Sequence, residues 1–398
     1  MRITDKQKKN KGGKMEWKKF FLNSLSVLIL LLIFINFIFL FLFIRERNKT
    51  RIILQFTDEL NKSLNSFVDN LSSRNLDKIY NSITQTQKNL NKILVLAKPL
   101  ESKKQQLQIK RIITRFKRTN RIPFSFIYAS EGENILLCEK NRKTLYLFKF
   151  SNDKLSFVKT YPCVVGLNHN DKKHPGDFAT PEGIYFISEF IPGKNLSKKY
   201  GFGAFVLNYP NLLDRKEEKK GAGIWIHGHS DEKNIGEDII STKGCIVVSN
   251  EILKELANFI KPKLTPIIIV DKMEFRSNES QKVLSKQLQN FVNSWKQAWE
   301  KIDTDKFLSF YSTDFINDEG MNYQSFKKQK ERVNKTKKFI IIMVEKMGIF
   351  IPQKYGEEIA IIRFNQYYHS NNYSSQGKKL LYLKKEKEGW KIIGESSL

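Results

Sequence analysis

The chain has 398 residues, which is more than one ordinary domain needs and predicts two or three domains. Its 69 Lys and Arg residues outnumber its 41 Asp and Glu residues, and the resulting net charge of +28 favours an anionic partner. Three scattered cysteines exclude a disulfide framework and a zinc cluster.

An uncharged apolar segment runs from Phe20 to Ile44. At about 1.5 Å per residue a helix of this length spans about 37 Å, enough to cross a hydrocarbon core of about 30 Å. A cleaved signal peptide would have a shorter apolar region that ends in small residues, whereas this segment ends in FIRERNK. Residues 20–44 are therefore predicted to form a retained, single-pass anchor in the cytoplasmic (inner) membrane.

Basic residues on the two sides of the anchor predict its orientation. Residues 1–19 form a basic tail with more Lys and Arg than the segment just after the anchor, so the tail stays in the cytoplasm. Everything after residue 45 then lies on the periplasmic or extracytoplasmic side. Nucleic acid is scarce there, so we expect no nucleic-acid partner and interpret the positive charge as suited to an anionic cell envelope.

Residues 45–120 are predicted to form a helical stalk. The segment is polar and almost free of Gly and Pro, and one apolar stripe follows helical spacing. The stripe consists of Ile53, Phe56, Leu60, Leu64, Phe67 and Leu71. The stalk, like the C-terminal domain, is a candidate surface for a homodimer or for docking.

Residues 121–275 change to short runs of β-branched and aromatic residues separated by Gly, Asn, Asp and Pro, which predicts a mainly-β domain. One helix, NEILKELANFI, follows a Ser249/Asn250 cap. Residues 276–398 begin with helices and end with four strand-like runs, which is an α+β pattern. The sequence thus predicts a multidomain chain with an anchor, a stalk and two extracytoplasmic domains.

The stretch IHGHSDEKNIGEDIISTKGC places His227 at the end of an apolar strand and Cys245 at the start of the next one. An imidazole close to a cysteine takes its proton and turns it into the nucleophilic thiolate. A zinc site built from His227, His229 and Cys245 would need a fourth ligand and tighter spacing. Cys138 and Cys163 lack a histidine motif and fit either buried apolar positions or a disulfide.

Three motifs in order resemble those of the YkuD-type L,D-transpeptidase catalytic domain: DFATPEGIYFI (177–187), IWIHG (224–228) and STKGC (241–245). That family shows Thr-Pro-x-Gly-x-aromatic, then His-Gly, then Ser/Thr-x-Gly-Cys. The resemblance covers roughly residues 121–275.

The resemblance implies a role for each matching residue. Cys245 is the nucleophile, His227 the base, and the Gly228 carbonyl the group that orients the imidazole. Further residues are implied in two sets: an oxyanion and nucleophile turn of Thr242, Lys243 and Gly244, and substrate-binding candidates Thr180, Pro181, Gly183 and Asn250. No metal and no cofactor are implied.

The activity implied is acyl transfer on peptidoglycan stem peptides. Cys245 would attack the third residue of a tetrapeptide stem, release D-alanine and form a thioester. An amine would then give a 3-3 cross-link, which is transpeptidation, and water would give a tripeptide, which is L,D-carboxypeptidation.

The chain departs from the family pattern at two positions. Lys243 replaces the usual histidine, and Val247 replaces a frequent arginine. Lys243 is a candidate for lowering the pKa of the thiol or for meeting a substrate carboxylate. If the thiol is activated, we expect a thiol-reactive probe to label Cys245 well below the pH that an ordinary thiol needs. Failure to label would instead favour a wall-binding scaffold without catalytic activity.

The C-terminal run FVNSWKQAWEKIDTDKFLSFYSTDF and the strands after it resemble nuclear-transport-factor-two-like domains, which are cone-shaped α+β folds. Together with a YkuD-type module this resembles L,D-carboxypeptidases that set cell shape. We expect a dimerisation or docking role for this domain, since no acid–base pair stands out in its sequence.

Overall fold

The computed structural model describes residues 121–230 and 241–398. The predicted tail (1–19), anchor (20–44) and stalk (45–120) lie outside the described residues. Among the residues described, no helix combines the length and the apolar character that crossing a bilayer requires.

The N-terminal part of the described chain is dominated by strands, as predicted for 121–275. They are β1 Arg121–Pro123, β2 Phe126–Tyr128, β3 Glu133–Glu139, β4 Thr144–Ser151, β5 Lys154–Pro162, β6 Gly183–Pro192, β7 Gly203–Leu207, β8 Trp225–His227, β9 Ile246–Val247, β10 Pro266–Val270 and β11 Phe275–Ser277. Two α-helices, α1 Leu212–Lys216 and α2 Asn250–Ala257, and two 3-10 turns, Gly193–Asn195 and Lys198–Tyr200, connect them.

Eight of these strands form one sheet in the order β5-β4-β3-β10-β6-β7-β8-β9. The β10–β3 and β8–β9 pairs are parallel and the other neighbours are antiparallel. The predicted cap of α2 is present, because the Ser249 hydroxyl accepts a hydrogen bond from the Ile252 amide at 3.3 Å. Leu253 and Leu256 then face the sheet and are fully buried.

The C-terminal part begins with helices and ends with a long run of strands, as the α+β pattern predicted, with one strand between its second and third helices. The helices are α3 Asn278–Glu300, α4 Thr304–Leu308 and α5 Tyr323–Asn334. The strands are β12 Tyr311–Asn317, β13 Ile340–Phe350, β14 Ile359–Ser370, β15 Tyr373–Glu386 and β16 Gly389–Ser397, with a 3-10 turn at Gln353–Tyr355. The helices cover one face of this sheet around Trp295, which is completely buried.

One strand crosses the predicted boundary between the two domains. The C-terminal sheet has the order β12-β16-β15-β14-β13-β2, so Phe126–Tyr128 completes the C-terminal sheet although its sequence position falls within 121–275. The pairing joins Tyr128 to Ile349 and Phe126 to Phe350. A three-residue strand whose partner lies more than two hundred residues away leaves no local signal in the sequence.

The two sheets share an apolar core. Alternate residues of the C-terminal strands face opposite sides: Ile361 and Tyr382 pack toward the first sheet, whereas Ile362 and Leu383 pack under the helices. The shared core therefore fixes the C-terminal domain against the sheet that carries the His227 and Cys245 motifs.

Candidate active site

The turn before β9 has a geometry that only glycine permits at Gly244. The Thr242 hydroxyl donates to the Cys245 carbonyl at 2.7 Å and accepts from the Gly244 amide at 3.0 Å. Gly244 has φ +130°, and a Cβ there would lie 2.7 Å from the Ala179 carbonyl oxygen. The turn is thus pressed against the neighbouring loop. Because the Gly244 amide is occupied by Thr242, Gly244 serves the turn rather than an oxyanion.

Strand pairing brings His227 beside Cys245. In the parallel β8–β9 pair, Ile226 is opposite Ile246 and His227 is opposite Val247, so Cys245 begins the strand next to the histidine. His227 Nδ1 lies 2.6 Å from the Gly228 carbonyl oxygen. That contact places the proton of a neutral imidazole on Nδ1 and leaves Nε2 with a free lone pair.

The environment of His227 favours its neutral form. Burial lowers the pKa of His227, the Gly228 carbonyl opposes this effect, and the charges of Lys199 and His229 lower the pKa further. A neutral imidazole at neutral pH is able to accept a proton.

The thiol of Cys245 is also held in its neutral form. Burial raises its pKa, while a backbone hydrogen bond with Trp225 and the charges of Lys172 and Lys199 oppose the rise. The thiol donates to the Gly223 carbonyl at 3.4 Å. In the free protein the site therefore favours the neutral thiol over the thiolate. This environment does not support the expectation that a thiol-reactive probe labels Cys245 at low pH.

An aromatic wall stands over the imidazole. The ring centroid of Tyr200 lies 4.9 Å from that of His227, edge to face, and 5.0 Å from that of Trp225. Lys199 Nζ lies 4.9 Å from the centroid of the Tyr200 ring. Sequence analysis missed this wall, because Lys199 and Tyr200 lie in a short 3-10 turn outside the three motifs, although Trp225 lies within one of them.

Asn250 occupies a bracing position rather than the substrate contact that the resemblance suggested. It is buried, and its Oδ1 accepts from the Phe202 amide at 2.9 Å and from the His229 amide at 3.3 Å. Its Nδ2 donates to the His229 carbonyl at 2.9 Å. Asn250 therefore ties the aromatic wall to the segment after His227.

The first two residues of the TPEG motif are likewise buried. Thr180 is fully buried, and its hydroxyl accepts from the Gly166 amide at 2.8 Å. Pro181 is buried as well. Gly183 lines a cleft of about 160 Å³ together with Lys354 of the C-terminal domain. These three residues shape the loop beside the nucleophile turn, and the buried placement of the first two corrects the expectation of substrate contact.

A buried lysine that sequence analysis missed fastens the same loop. Lys140 is 1% exposed, and its Nζ donates to the His169, Asn170 and Thr180 carbonyls at 2.9, 3.1 and 3.2 Å. It also forms an ion pair with Glu182 at 2.7 Å. The two ends of the loop are held by one ammonium group.

Lys172 in that loop was also missed. Its Nζ donates to Asp177 Oδ1 at 2.7 Å and to the His174 carbonyl at 3.0 Å. Burial would raise the pKa of Asp177, but Lys172 and three backbone amides outweigh it and hold that pKa well below its usual range. Among the many lysines of the sequence, nothing local distinguished this one.

Charged groups also connect the loop to the C-terminal domain. Asp171 accepts from Lys219 at 2.6 Å and from Lys354 at 3.3 Å, and Glu217 pairs with the same two lysines at 3.1 and 3.0 Å. Tyr355, next to Lys354, donates to Glu217. The position of the loop is thus linked to the Gln353–Tyr355 turn.

Lys243 and Val247 mark the two departures from the family motif. Lys243 is exposed, and the cations whose charges reach the thiol are Lys172 and Lys199. That Lys243 lowers the thiol pKa or meets a substrate carboxylate stays a prediction. Val247 is buried and pairs with Val164, so its side chain belongs to the sheet.

The other two cysteines, Cys138 and Cys163, are buried in one apolar core at 0% and 3% exposure, and they are not bridged. Within the described residues, no group of three His, Cys, Asp or Glu side chains is placed to hold a metal ion.

The C-terminal domain contains a charged cluster that its sequence did not reveal. Glu395 accepts from the Tyr311 hydroxyl and from Lys379 Nζ, each at 2.6 Å. Lys330 Nζ lies 4.4 Å from the centroid of the Trp299 ring. Burial lowers the pKa of Lys330 to about 8.

A cysteine and a histidine on adjacent parallel strands, with the imidazole oriented by a carbonyl, form the geometry of cysteine-dependent acyl-transfer domains. Two family models match the chain: the L,D-transpeptidase catalytic domain (YkuD) over residues 133–269, and the Cds6 C-terminal NTF2-like domain over residues 287–396. The chain belongs to the YkuD family of L,D-transpeptidase domains and carries a C-terminal NTF2-like domain, which confirms both resemblances.

Two solved structures extend over both domains. Bd1075 of Bdellovibrio bacteriovorus is 30% identical with a TM-score of 0.57, and the match covers 70% of this chain and 99% of that one. Pgp2 of Campylobacter jejuni, a helical cell shape determining protein, is 28% identical with a TM-score of 0.57, over 71% of this chain and 97% of that one. A search of curated proteins finds no match.

Proposed function

We propose that the protein is a peptidoglycan-modifying acyl-transfer enzyme that acts on tetrapeptide stems through a Cys245 thioester. The observation that carries the proposal is the placement of His227, with Nδ1 held 2.6 Å from the Gly228 carbonyl, on the strand beside Cys245 in a YkuD-family domain. Pgp2 is described as determining helical cell shape, which supports a cell-shape role for this chain as well.

The neutral states of the two side chains support general-base catalysis. His227 Nε2 takes the thiol proton as Sγ attacks the carbonyl of the third stem residue. The Cys245 amide is the donor of the nucleophile turn that is suited to the resulting oxyanion, since the Gly244 amide already binds Thr242. The tetrahedral intermediate then collapses: the imidazolium gives its proton to the amine of D-alanine, the C–N bond breaks, and the thioester remains.

Deacylation repeats these steps with a second nucleophile. An amine of another stem gives a 3-3 cross-link, and water gives a tripeptide; in each case His227 takes the proton of the nucleophile and returns it to the thiolate. We retain the L,D-carboxypeptidase outcome as the second candidate, because the resemblance to a cell-shape protein spans both domains. A silent wall-binding scaffold is the non-enzymatic alternative.

The apolar segment from Phe20 to Ile44 and the basic tail before it support a membrane-anchored protein whose catalytic domain faces the periplasm. The positive charge of the chain fits the anionic cell wall, and the C-terminal domain or the stalk is proposed as its docking surface.

Product analysis tests the proposal. The full-length protein in detergent is incubated with disaccharide-tetrapeptide, and the products are identified by mass spectrometry beside a Cys245→Ala control. Linked dimers that need Cys245 indicate a transpeptidase, and tripeptide that needs Cys245 indicates a carboxypeptidase. Unchanged tetrapeptide with both proteins would contradict the enzyme and favour the scaffold.

A further inference from the structure

We propose that Lys199 recognises the free carboxylate of the terminal residue that the enzyme releases, and thereby restricts the enzyme to the last peptide bond of its substrate. This inference rests on the proposed function and names a specificity-determining residue for it. Lys199 lies outside the three motifs that the family resemblance uses.

Lys199 is placed at the edge of the reactive pair. Its ammonium group sits over the ring of Tyr200 at 4.9 Å, and that ring contacts the imidazole of His227 at 4.9 Å. One aromatic ring therefore separates the charge from the imidazole. The side chain of Lys199 is exposed and open to a ligand.

The turn that carries Lys199 has a fixed position. A Cβ on Gly201 would lie 2.1 Å from Asn250 Oδ1 and 2.3 Å from the His229 carbonyl oxygen, so the backbone after the turn is pressed against the segment that follows His227. The Phe202 amide donates to Asn250 Oδ1 at 2.9 Å. The backbone that carries Lys199 is therefore held relative to the reactive pair, while its side chain extends into solvent.

The two lysines whose charges reach the thiol differ in their partners. Lys172 is buried and neutralised by Asp177 at 2.7 Å. Lys199 has no carboxylate partner among residues 121–230 and 241–398. As far as the described residues go, its charge is therefore available to an anion that enters the site from solvent.

The terminal residue of a peptide brings such an anion to the right place. Its carboxylate lies one residue beyond the bond that is cut, or about 3.3–3.6 Å of chain. That carboxylate would bind a cation that lies near the thiol and the imidazole without touching either of them. An internal peptide bond, or an amidated terminus, offers no charge at this point.

Neutralising Lys199 also assists the chemistry. In the free protein burial lowers the pKa of His227, and the charges of Lys199 and His229 lower it further. A bound carboxylate offsets that charge, so the imidazole becomes a stronger base once the correct substrate is in place.

The test compares two substrates and four proteins. Disaccharide-tetrapeptide with a free terminal carboxylate and the same compound with a terminal amide are given to full-length wild type, Lys199→Met, Lys199→Arg and Lys198→Met. Lys198 is an exposed lysine of the same turn and serves as the matched control. Loss of the terminal residue is followed as kcat/KM for each substrate.

We expect the wild type to prefer the acid over the amide by about tenfold to a hundredfold, the range of a hydrogen bond to a charged group. Lys199→Met should cut both substrates at similar rates, because kcat/KM for the acid falls toward that for the amide. Lys199→Arg should keep most of the preference, and Lys198→Met all of it.

The outcomes separate this inference from the proposed function. If Lys199→Met keeps the wild-type preference for the acid, or if the wild type cuts acid and amide equally, Lys199 is not the recognition residue while the acyl-transfer function stands. If the wild type releases nothing from either substrate, the proposed function fails and this inference fails with it.

Discussion

Arg363→Met tests the contact that joins the two domains. Arg363 in β14 is 1% exposed, and its Nη2 lies 2.9 Å from both carboxylate oxygens of Glu133 in β3. Its Nη1 donates to the Leu264 carbonyl at 2.8 Å. The substitution leaves the Glu133 carboxylate buried, with the Ser130 amide at 3.2 Å as a remaining donor.

Removing one partner of a buried ion pair costs about 3–5 kcal/mol, because the other charge stays buried and unpaired. Burial already raises the pKa of Glu133, against the opposing charge of Arg363. Without Arg363 that pKa rises further above the unfolded value of about 4.3. A raised carboxyl pKa stabilises the fold below the unfolded pKa and loses that stabilisation as pH rises, so the deficit of the variant should be large at neutral pH and small near pH 4.

The assay is urea unfolding of residues 121–398, in which the two sheets share one apolar core, at several pH values. With a slope of about 3 kcal/mol per molar urea, the midpoint of Arg363→Met at pH 7 should fall by about 1 M or more. The double variant Glu133→Leu/Arg363→Met, which removes both charges, should recover most of the loss. A single variant that costs less than about 1 kcal/mol, or a deficit that grows as pH falls, would refute the reasoning.

Three further predictions follow from the site. Gly244→Ala should lower kcat/KM by at least about tenfold, because the added Cβ displaces the nucleophile turn. Gly389→Ala is the control: Gly389 also has a positive φ, but no atom lies within 4 Å of an added Cβ, so activity should be unchanged. Equal activities of the two variants would contradict the close contact at Gly244. Peptide mass spectrometry of iodoacetamide labelling against pH should give Cys245 a labelling midpoint at or above that of a free thiol, because burial raises the pKa of Cys245. A labelling midpoint near neutral pH would contradict this. Asp177→Asn should destabilise the fold by about 1–3 kcal/mol at pH 7. Because the folded pKa of Asp177 is depressed, its stabilising contribution is present above about pH 4 and is lost as pH falls. Stabilities of variant and wild type that do not converge in acid would overturn this prediction.

The sequence carries the local features of the fold well. Leu284, Leu288, Trp295 and Trp299 follow helical spacing because one face of α3 is buried, and all four are indeed buried. The cap at Ser249 is equally local. Strand β2 could not be found in this way, because its pairing depends on a partner far along the chain.

The candidate site divides in the same manner. His227, Gly228 and Cys245 belong to contiguous motifs, and their placement follows from two short strands and one glycine turn. Lys199 and Lys172 reach the thiol only through the folding of separate loops, and in a chain with 69 Lys and Arg residues no local pattern marks them.

Asn250 shows the opposite limit of sequence reasoning. Its position matches the family motif, yet the structure uses both ends of its amide to hold backbone groups of Phe202 and His229. A motif match identifies that a residue matters to the site, but only the packing around it shows whether it faces the substrate or supports the wall.

The most direct test of the account is the intact mass of the protein during turnover. Full-length protein mixed with disaccharide-tetrapeptide and quenched in acid should carry the mass of the substrate minus D-alanine, located on the Cys245 peptide and absent from Cys245→Ala. His227→Ala should form the adduct far more slowly while remaining folded. Release of D-alanine without an adduct in wild type and with undiminished rate in Cys245→Ala would contradict the thioester mechanism.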